Sequence, residues 1–154
     1  MANFWLMKSE PSVYSIDDLA RDKKTLWECV RNYRARNYMM KEMKVGDEFI
    51  FYHSNAEPPC AAGIGTISSE AQPDPTALNK KSEYYEPKAT KENPIWFCVE
   101  VKFKEKFARP IPLSEIRENK KLAKMPLLKN GNRLSIQPVG KEEFALIKKL
   151  GSDA

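Results

Sequence analysis

The chain has 154 residues, 42% of them hydrophobic, enough to bury one substantial core in a single domain spanning 1–154. With 26 basic and 21 acidic residues the formal charge is +5, an excess that permits a polyanionic partner without demanding one. Three separated cysteines without a CxxC pair argue against a disulfide framework, and the apolar run before Lys8 is too short for a signal sequence or a membrane span.

The expectation is therefore a soluble, cytoplasmic protein (nuclear if the host is a eukaryote) with no membrane contact. In chain order, Phe4-Trp5-Leu6-Met7-Lys8 reads as a buried strand stopped by Ser9-Glu10-Pro11. Ser15 caps a short helix whose first turn holds Asp17 and Asp18, where the helix dipole favours acids. Asp22-Lys23-Lys24 is a polar link. Asn32 is the expected N-cap of a helix from Tyr33 to about Met43 that buries Ala35, Met39 and Met43, with Gly46 supplying its C-terminal cap. Asp47 to Ser54 is a strand with apolar weight on both faces, Phe49, Phe51 and His53 on one and Ile50, Tyr52 and Ser54 on the other. Cys60 to Ile67 is a strand of such small residues that either another backbone or a ligand comes close to it.

From Ser68 to Asn93 the prolines and polar residues predict a long surface excursion with at most one helical turn near Thr76–Asn79. It carries Tyr84 and Tyr85 among Lys80, Lys81 and Lys88, either a lip for a nucleic-acid strand or tyrosines pinned on the sheet. Ile95 to Phe103 alternates as the clearest strand. After Pro110 and Pro112, Ser114 is expected to cap a helix, followed by a basic helical stretch at Lys120–Lys124. Asn130-Gly131-Asn132 signals a turn into a strand at Arg133–Val139, and Lys141–Leu150 closes the core with Phe144, Ile147 and Leu150. The class is α+β, a curled sheet of about five or six strands with peripheral helices.

The chemistry concentrates in Trp27-Glu28-Cys29-Val30-Arg31-Asn32-Tyr33-Arg34-Ala35-Arg36-Asn37-Tyr38. Rings offer stacking faces, Asn offers paired donors and acceptors, and Arg offers a fork for phosphate. Two readings stay open on residues alone: a segment that holds a nucleobase, or a half-buried amphipathic helix with aromatic core residues. Gly63-Ile64-Gly65 lacks the pattern of a phosphate loop. Cys29, Cys60, Cys98 and His53 lie singly on separate elements rather than in metal-binding pairs, so no metal and no cofactor is expected. His53 reads as a hydrogen-bonded structural residue and no catalytic residue is assigned; the alternatives are an enzyme acting on a nucleobase or nucleotide with His53 or Glu10 as acid or base, and a protein-interaction module using Lys120–Lys124 and the Tyr84-Tyr85 loop.

The motifs Phe4 to Pro11, Trp27 to Asn37, Phe51-Tyr52-His53-Ser54 and Arg133-Leu134-Ser135-Ile136-Gln137-Pro138-Val139, in this order and spacing, resemble the EVE domain family over nearly the whole chain. The resemblance implies a PUA-like curled β-barrel, related to the YTH readers of methylated adenine. It also implies a non-catalytic domain that binds DNA or RNA by accepting one modified base, such as methylated or hydroxymethylated cytosine; the oligomeric state is open, with a monomer favoured. Carried onto this sequence, it places Lys8, Ser9, Trp27, Glu28, Cys29, Val30, Asn32, Tyr33, Ser54 and Ser135 in or around the base pocket, with Trp27 as its wall. Arg31, Arg34, Arg36 and Arg133 are left to handle phosphates or brace loops. Two positions depart from the family pattern: Phe4 stands where a tyrosine opens the first motif, and Cys29 where glycine is usual.

Overall fold

The computed structural model describes residues 3–129 and 134–152. Arg133 and the turn signal at 130–132 lie outside them. Six strands form one mixed sheet in the order β2-β7-β4-β3-β1-β8, where β1 is Phe4–Ser9, β2 Lys24–Leu26, β3 Glu48–His53, β4 Cys60–Ile67, β7 Glu100–Pro112 and β8 Ile136–Val139. Every pairing in it is antiparallel except that of β1 with β3, which run parallel with Trp5 beside Phe49 and Met7 beside Phe51.

The two-faced strands explain the architecture. Because side chains alternate across a strand, Trp5, Met7, Phe49 and Phe51 fall on one face with Trp27, Ile16, Leu19 and Met39, while Leu6, Ile50, Ile64, Phe107 and Ile111 fall on the other. The first cluster lies under α1 (Ile16–Asp22) and α2 (Tyr33–Asn37), and the second includes Phe144 and Ile147 of α5 (Lys141–Ser152). The small residues of β4 serve packing. A Cβ on Gly65 would stand 2.4 Å from the Phe49 ring, and one on Gly63 2.4 Å from the Glu105 carbonyl oxygen, so neighbouring backbone and side chains already occupy that space.

Several expectations are met in detail. Ser15 and Asp18 form a reciprocal capping box on α1, and Asn32 accepts the Ala35 N–H at 3.0 Å as N-cap of α2. Others are corrected. Lys24 is no polar link but the start of β2, paired with Lys102. The helix expected to Met43 is α for only five residues and then a π-helical turn, Tyr38–Glu42, capped at Met43; Gly46, at φ +98°, lies in the turn before β3 instead. Ile95 to Phe103 is divided between β6 (Phe97–Cys98) and β7, and β7 runs on through Pro110 to Pro112. Proline is tolerated there because β7 loses its β2 neighbour beyond Lys102 and becomes an edge on that side. The cap of α4 (Leu113–Glu118) is accordingly Pro112, and Ser114 lies within the helix. Lys120–Leu122 is a single 3₁₀ turn.

The excursion after β4 is more ordered than its composition suggests. β5 (Gln72–Pro73) pairs with β6 and closes its base, α3 (Pro75–Leu78) follows at once, and the Asp74 N–H donates to the Trp96 carbonyl at 3.0 Å.

Candidate functional site

A pocket of about 290 Å³ opens where β1 ends beside β2, at the small end of the roughly 300–1,000 Å³ of ligand sites. Lys8 and Ser9 come from β1, Val13 and Tyr14 from the turn before α1, Thr25 and Leu26 from β2, Trp27, Glu28 and Cys29 from the irregular stretch after it, and Tyr84 from the excursion. Its aromatic wall belongs to the core. Trp27 is 7% exposed, its ring stands edge-on to Phe49 and Phe51 at 5.7 and 5.4 Å, and its backbone N–H donates to the Val99 carbonyl. At the rim Val13 is 74% and Tyr84 44% exposed, apolar surface that a ligand would cover.

Five of the ten residues expected around a base thus line one pocket: Lys8, Ser9, Trp27, Glu28 and Cys29. The other five stand elsewhere. Ser54 and Ser135 hold the end of β1 from either side, the Ser54 N–H donating to the Ser9 carbonyl at 3.0 Å and the Lys8 N–H to the Ser135 carbonyl at 2.8 Å. Val30 is buried in the core, Asn32 caps α2, and Tyr33 stacks on Trp96 with ring centroids 4.8 Å apart. Phe4 packs on Phe144, 4.4 Å between centroids, on the opposite side of the sheet.

Two of the arginines are engaged within the fold. Arg31 donates to the Val30 and Tyr84 carbonyls, to Asp74 and to Thr76, and lies over the Tyr84 and Trp96 rings. Arg36 donates to the Ile95 carbonyl and the Asn37 amide oxygen and lies over Tyr33, 4.7 Å from its centroid. Both brace the excursion. Arg34 is exposed above the Tyr38 ring, so of Arg31, Arg34 and Arg36 it is the one open to an external phosphate.

Asp74 is the organising residue that sequence reasoning missed. It has no exposed surface, and its carboxylate accepts the Cys29 N–H at 2.7 Å, Arg31 at 3.2 Å, and the Thr76 N–H and hydroxyl at 2.8 and 2.6 Å. The signal was local: Asp-Pro-Thr is an N-cap pattern, with proline at the first helical position. Through Cys29 it holds the pocket backbone at φ +71°, the region glycine enters most easily. That geometry gives a physical reason for glycine at this place in the family pattern, and burial pushes the Cys29 thiol up.

Two charged side chains of the lining, Lys8 and Glu28, make no hydrogen bond or ion pair among the described residues. Burial draws the Lys8 ammonium below the usual lysine range, and burial with the nearby Asp74 charge lifts the Glu28 carboxyl. The residues considered for catalysis lie outside the lining: His53 Nε2 accepts the Ile16 N–H at 3.1 Å, and Glu10 accepts the Asn55 amide at 3.0 Å. Among the described residues no three His, Cys, Asp or Glu side chains form a metal-binding group, and no helix is long and apolar enough to cross a membrane.

A curled mixed sheet flanked by helices, with a small aromatic-walled pocket at the end of β1, defines a PUA-like domain. The chain belongs to the EVE domain family, which matches residues 3–150. Thymocyte nuclear protein 1 of Homo sapiens is 40% identical over 168 residues, covering 97% of this chain and 74% of that protein. A hypothetical protein from Leishmania major superposes with a TM-score of 0.92 at 46% identity, covering 98% of this chain and 95% of that one. The structure of human THYN1 in complex with DNA containing 5-methylcytosine superposes with a TM-score of 0.89 at 39% identity, covering 97% and 98%.

Proposed function

We propose that the chain is a nucleic-acid reader that takes one modified base, flipped out of a duplex or already unpaired, into the pocket beside Trp27 and leaves it chemically unchanged. The observation that carries this is the pocket itself: one-base in scale, walled by Trp27, rimmed by exposed Tyr84, and holding two charged groups, Lys8 and Glu28, that make no ion pair among the described residues. The likeness to human THYN1, crystallised with 5-methylcytosine DNA, makes methylated cytosine the first base to test. In a eukaryotic host we place the protein in the nucleus, in a bacterium in the cytoplasm. A monomer suffices, since one chain supplies every wall of the pocket.

The energetics set the size of the effect. Stacking contributes about 1–3 kcal/mol per base, and extrusion from a duplex costs a few kcal/mol, so single strands should bind better than duplexes. Burying one methyl adds about 0.8 kcal/mol, close to a fourfold preference over plain cytosine. Titration of short single strands carrying 5-methylcytosine, 5-hydroxymethylcytosine or cytosine at low salt tests the proposal. The expected order puts the modified strands ahead by a few-fold; absence of binding by all three would refute it. Mass analysis of the recovered strand separates reader from enzyme, because an enzyme must change the mass of the base.

A further inference from the structure

Most polar groups around the pocket are already committed to the protein. Ser9 Oγ donates to the Tyr14 carbonyl at 2.6 Å, the Tyr14 hydroxyl donates to Asp22 and is bonded by Thr25, and the Cys29 N–H is taken by Asp74. Lys8 and Glu28 differ. They reach the same pocket from separate elements, Lys8 from β1 and Glu28 from the stretch after β2, and among the described residues neither charged group has a hydrogen bond or an ion pair. One offers only donors and the other, when ionised, only acceptors.

We infer that Lys8 and Glu28 together read the hydrogen-bonding edge of the bound base, Lys8 donating to the ring N3 and O2 acceptors and Glu28 accepting from the 4-amino group, so that the pocket selects cytosine-type bases over thymine or uracil. The inference rests on the reader function proposed above and adds what the methyl cannot supply. Cytosine presents an amino donor where thymine presents a carbonyl acceptor, and a carboxylate is the group that takes that amino hydrogen. With thymine in place, Glu28 would face the O4 oxygen and Lys8 would face the N3–H, two mismatched pairs in a partly desolvated site. Burial already costs both groups part of that desolvation, drawing the Lys8 ammonium down and, with the nearby Asp74 charge, lifting the Glu28 carboxyl. A base with the complementary edge restores to each the partner it lacks.

Thymine is 5-methyluracil, so it carries the same methyl as 5-methylcytosine and isolates the edge from the methyl. Two single strands identical except for 5-methylcytosine or thymine at one central position are titrated against the full chain. The expected result is tighter binding of the 5-methylcytosine strand by about tenfold or more. Glu28→Gln, whose amide both donates and accepts, should lower the ratio several-fold, mainly by improving the thymine strand, and Lys8→Met should weaken the 5-methylcytosine strand. Glu28 is exposed and Lys8 ends a strand, and an unchanged thermal melt confirms that both variants fold. Equal binding of both strands by the wild-type chain overturns edge reading and leaves the base-pocket proposal standing. Binding of neither strand overturns both. A ratio unmoved by Glu28→Gln removes Glu28 from the readout.

Discussion

Asp74 accepts four hydrogen bonds from three residues in a site closed to solvent, and two of those residues, Cys29 and Arg31, belong to the stretch that shapes the pocket. A single carboxylate thus fixes the backbone on which Trp27 and Glu28 stand. The role of Trp27 is divided in the same way. Truncation to alanine would remove a core side chain, at a cost of about 3–5 kcal/mol, together with a pocket wall, so Trp27→Phe is the cleaner variant. His53 carries a pH prediction. Its Nε2 accepts the Ile16 N–H, which requires the neutral ring, and burial lowers its pKa below the ordinary 6.5, with Lys106 acting in the same direction and Asp17 opposing. A depressed folded-state pKa means that the unfolded chain binds the proton more readily. The stabilisation is therefore complete above about 6.5 and is lost as pH falls from there through the folded pKa. Urea unfolding between pH 7.5 and 5 should show this decline, and His53→Gln, which can still accept the N–H without titrating, should flatten that component. The N-caps at Ser15 and Asn32 and the structural reading of His53 were legible from short-range rules. The Asp74 cap on Thr76 is equally local, but its hold on Cys29 and Arg31 was not legible, because those partners lie 45 and 43 positions away.

At the scale of elements, the excursion from 68 to 96 is held to α2 by an alternating stack: Arg36 on Tyr33, Tyr33 on Trp96, and Arg31 between Trp96 and Tyr84. Its composition predicted a surface loop with one helical turn near Thr76–Asn79, and that turn is α3. The order comes from contacts across tens of residues that no local pattern encodes. Removing the guanidinium by Arg31→Met should detach the Tyr84 segment while β5 and β6 still close its base. Limited tryptic digestion tests this, with faster cleavage expected at Lys80, Lys81 and Lys88 and an unchanged rate elsewhere; equal digestion of variant and wild type would deny Arg31 the role of latch. The strands show a similar division. β1, β3 and β4 were readable because burial on both faces leaves a continuous apolar run, whereas β2 is three residues of Lys-Thr-Leu that pair only because β7 lies alongside. The full length of β7 was hidden by Pro110 and Pro112, residues an edge segment accepts and a central strand would not.

Across the whole molecule, a net charge of +5 with Arg31 and Arg36 held inside the fold favours a base-centred mode of binding in which phosphates add a modest, salt-sensitive share. Each phosphate contacted on a single strand contributes roughly −0.7 to the slope of log K against log salt. A groove of about 940 Å³ between the Lys120–Leu122 turn and the start of α5 is also basic, with Lys120, Lys121, Lys124 and Lys141 set against Glu142 and Glu143. It lies toward the far end of β1 from the pocket, since Val139, next to Gly140, pairs with Phe4, and Lys8 lies at the other end of the strand. If backbone charge alone governed binding, a strand would lose little when its base is deleted. The most direct test compares two otherwise identical single strands, one with 5-methylcytosine and one with an abasic site at the same position, at one salt concentration. A base held beside Trp27 is expected to make the methylcytosine strand bind tighter by about 1–3 kcal/mol, roughly 5- to 150-fold. Equal affinity for the two strands would contradict a base pocket.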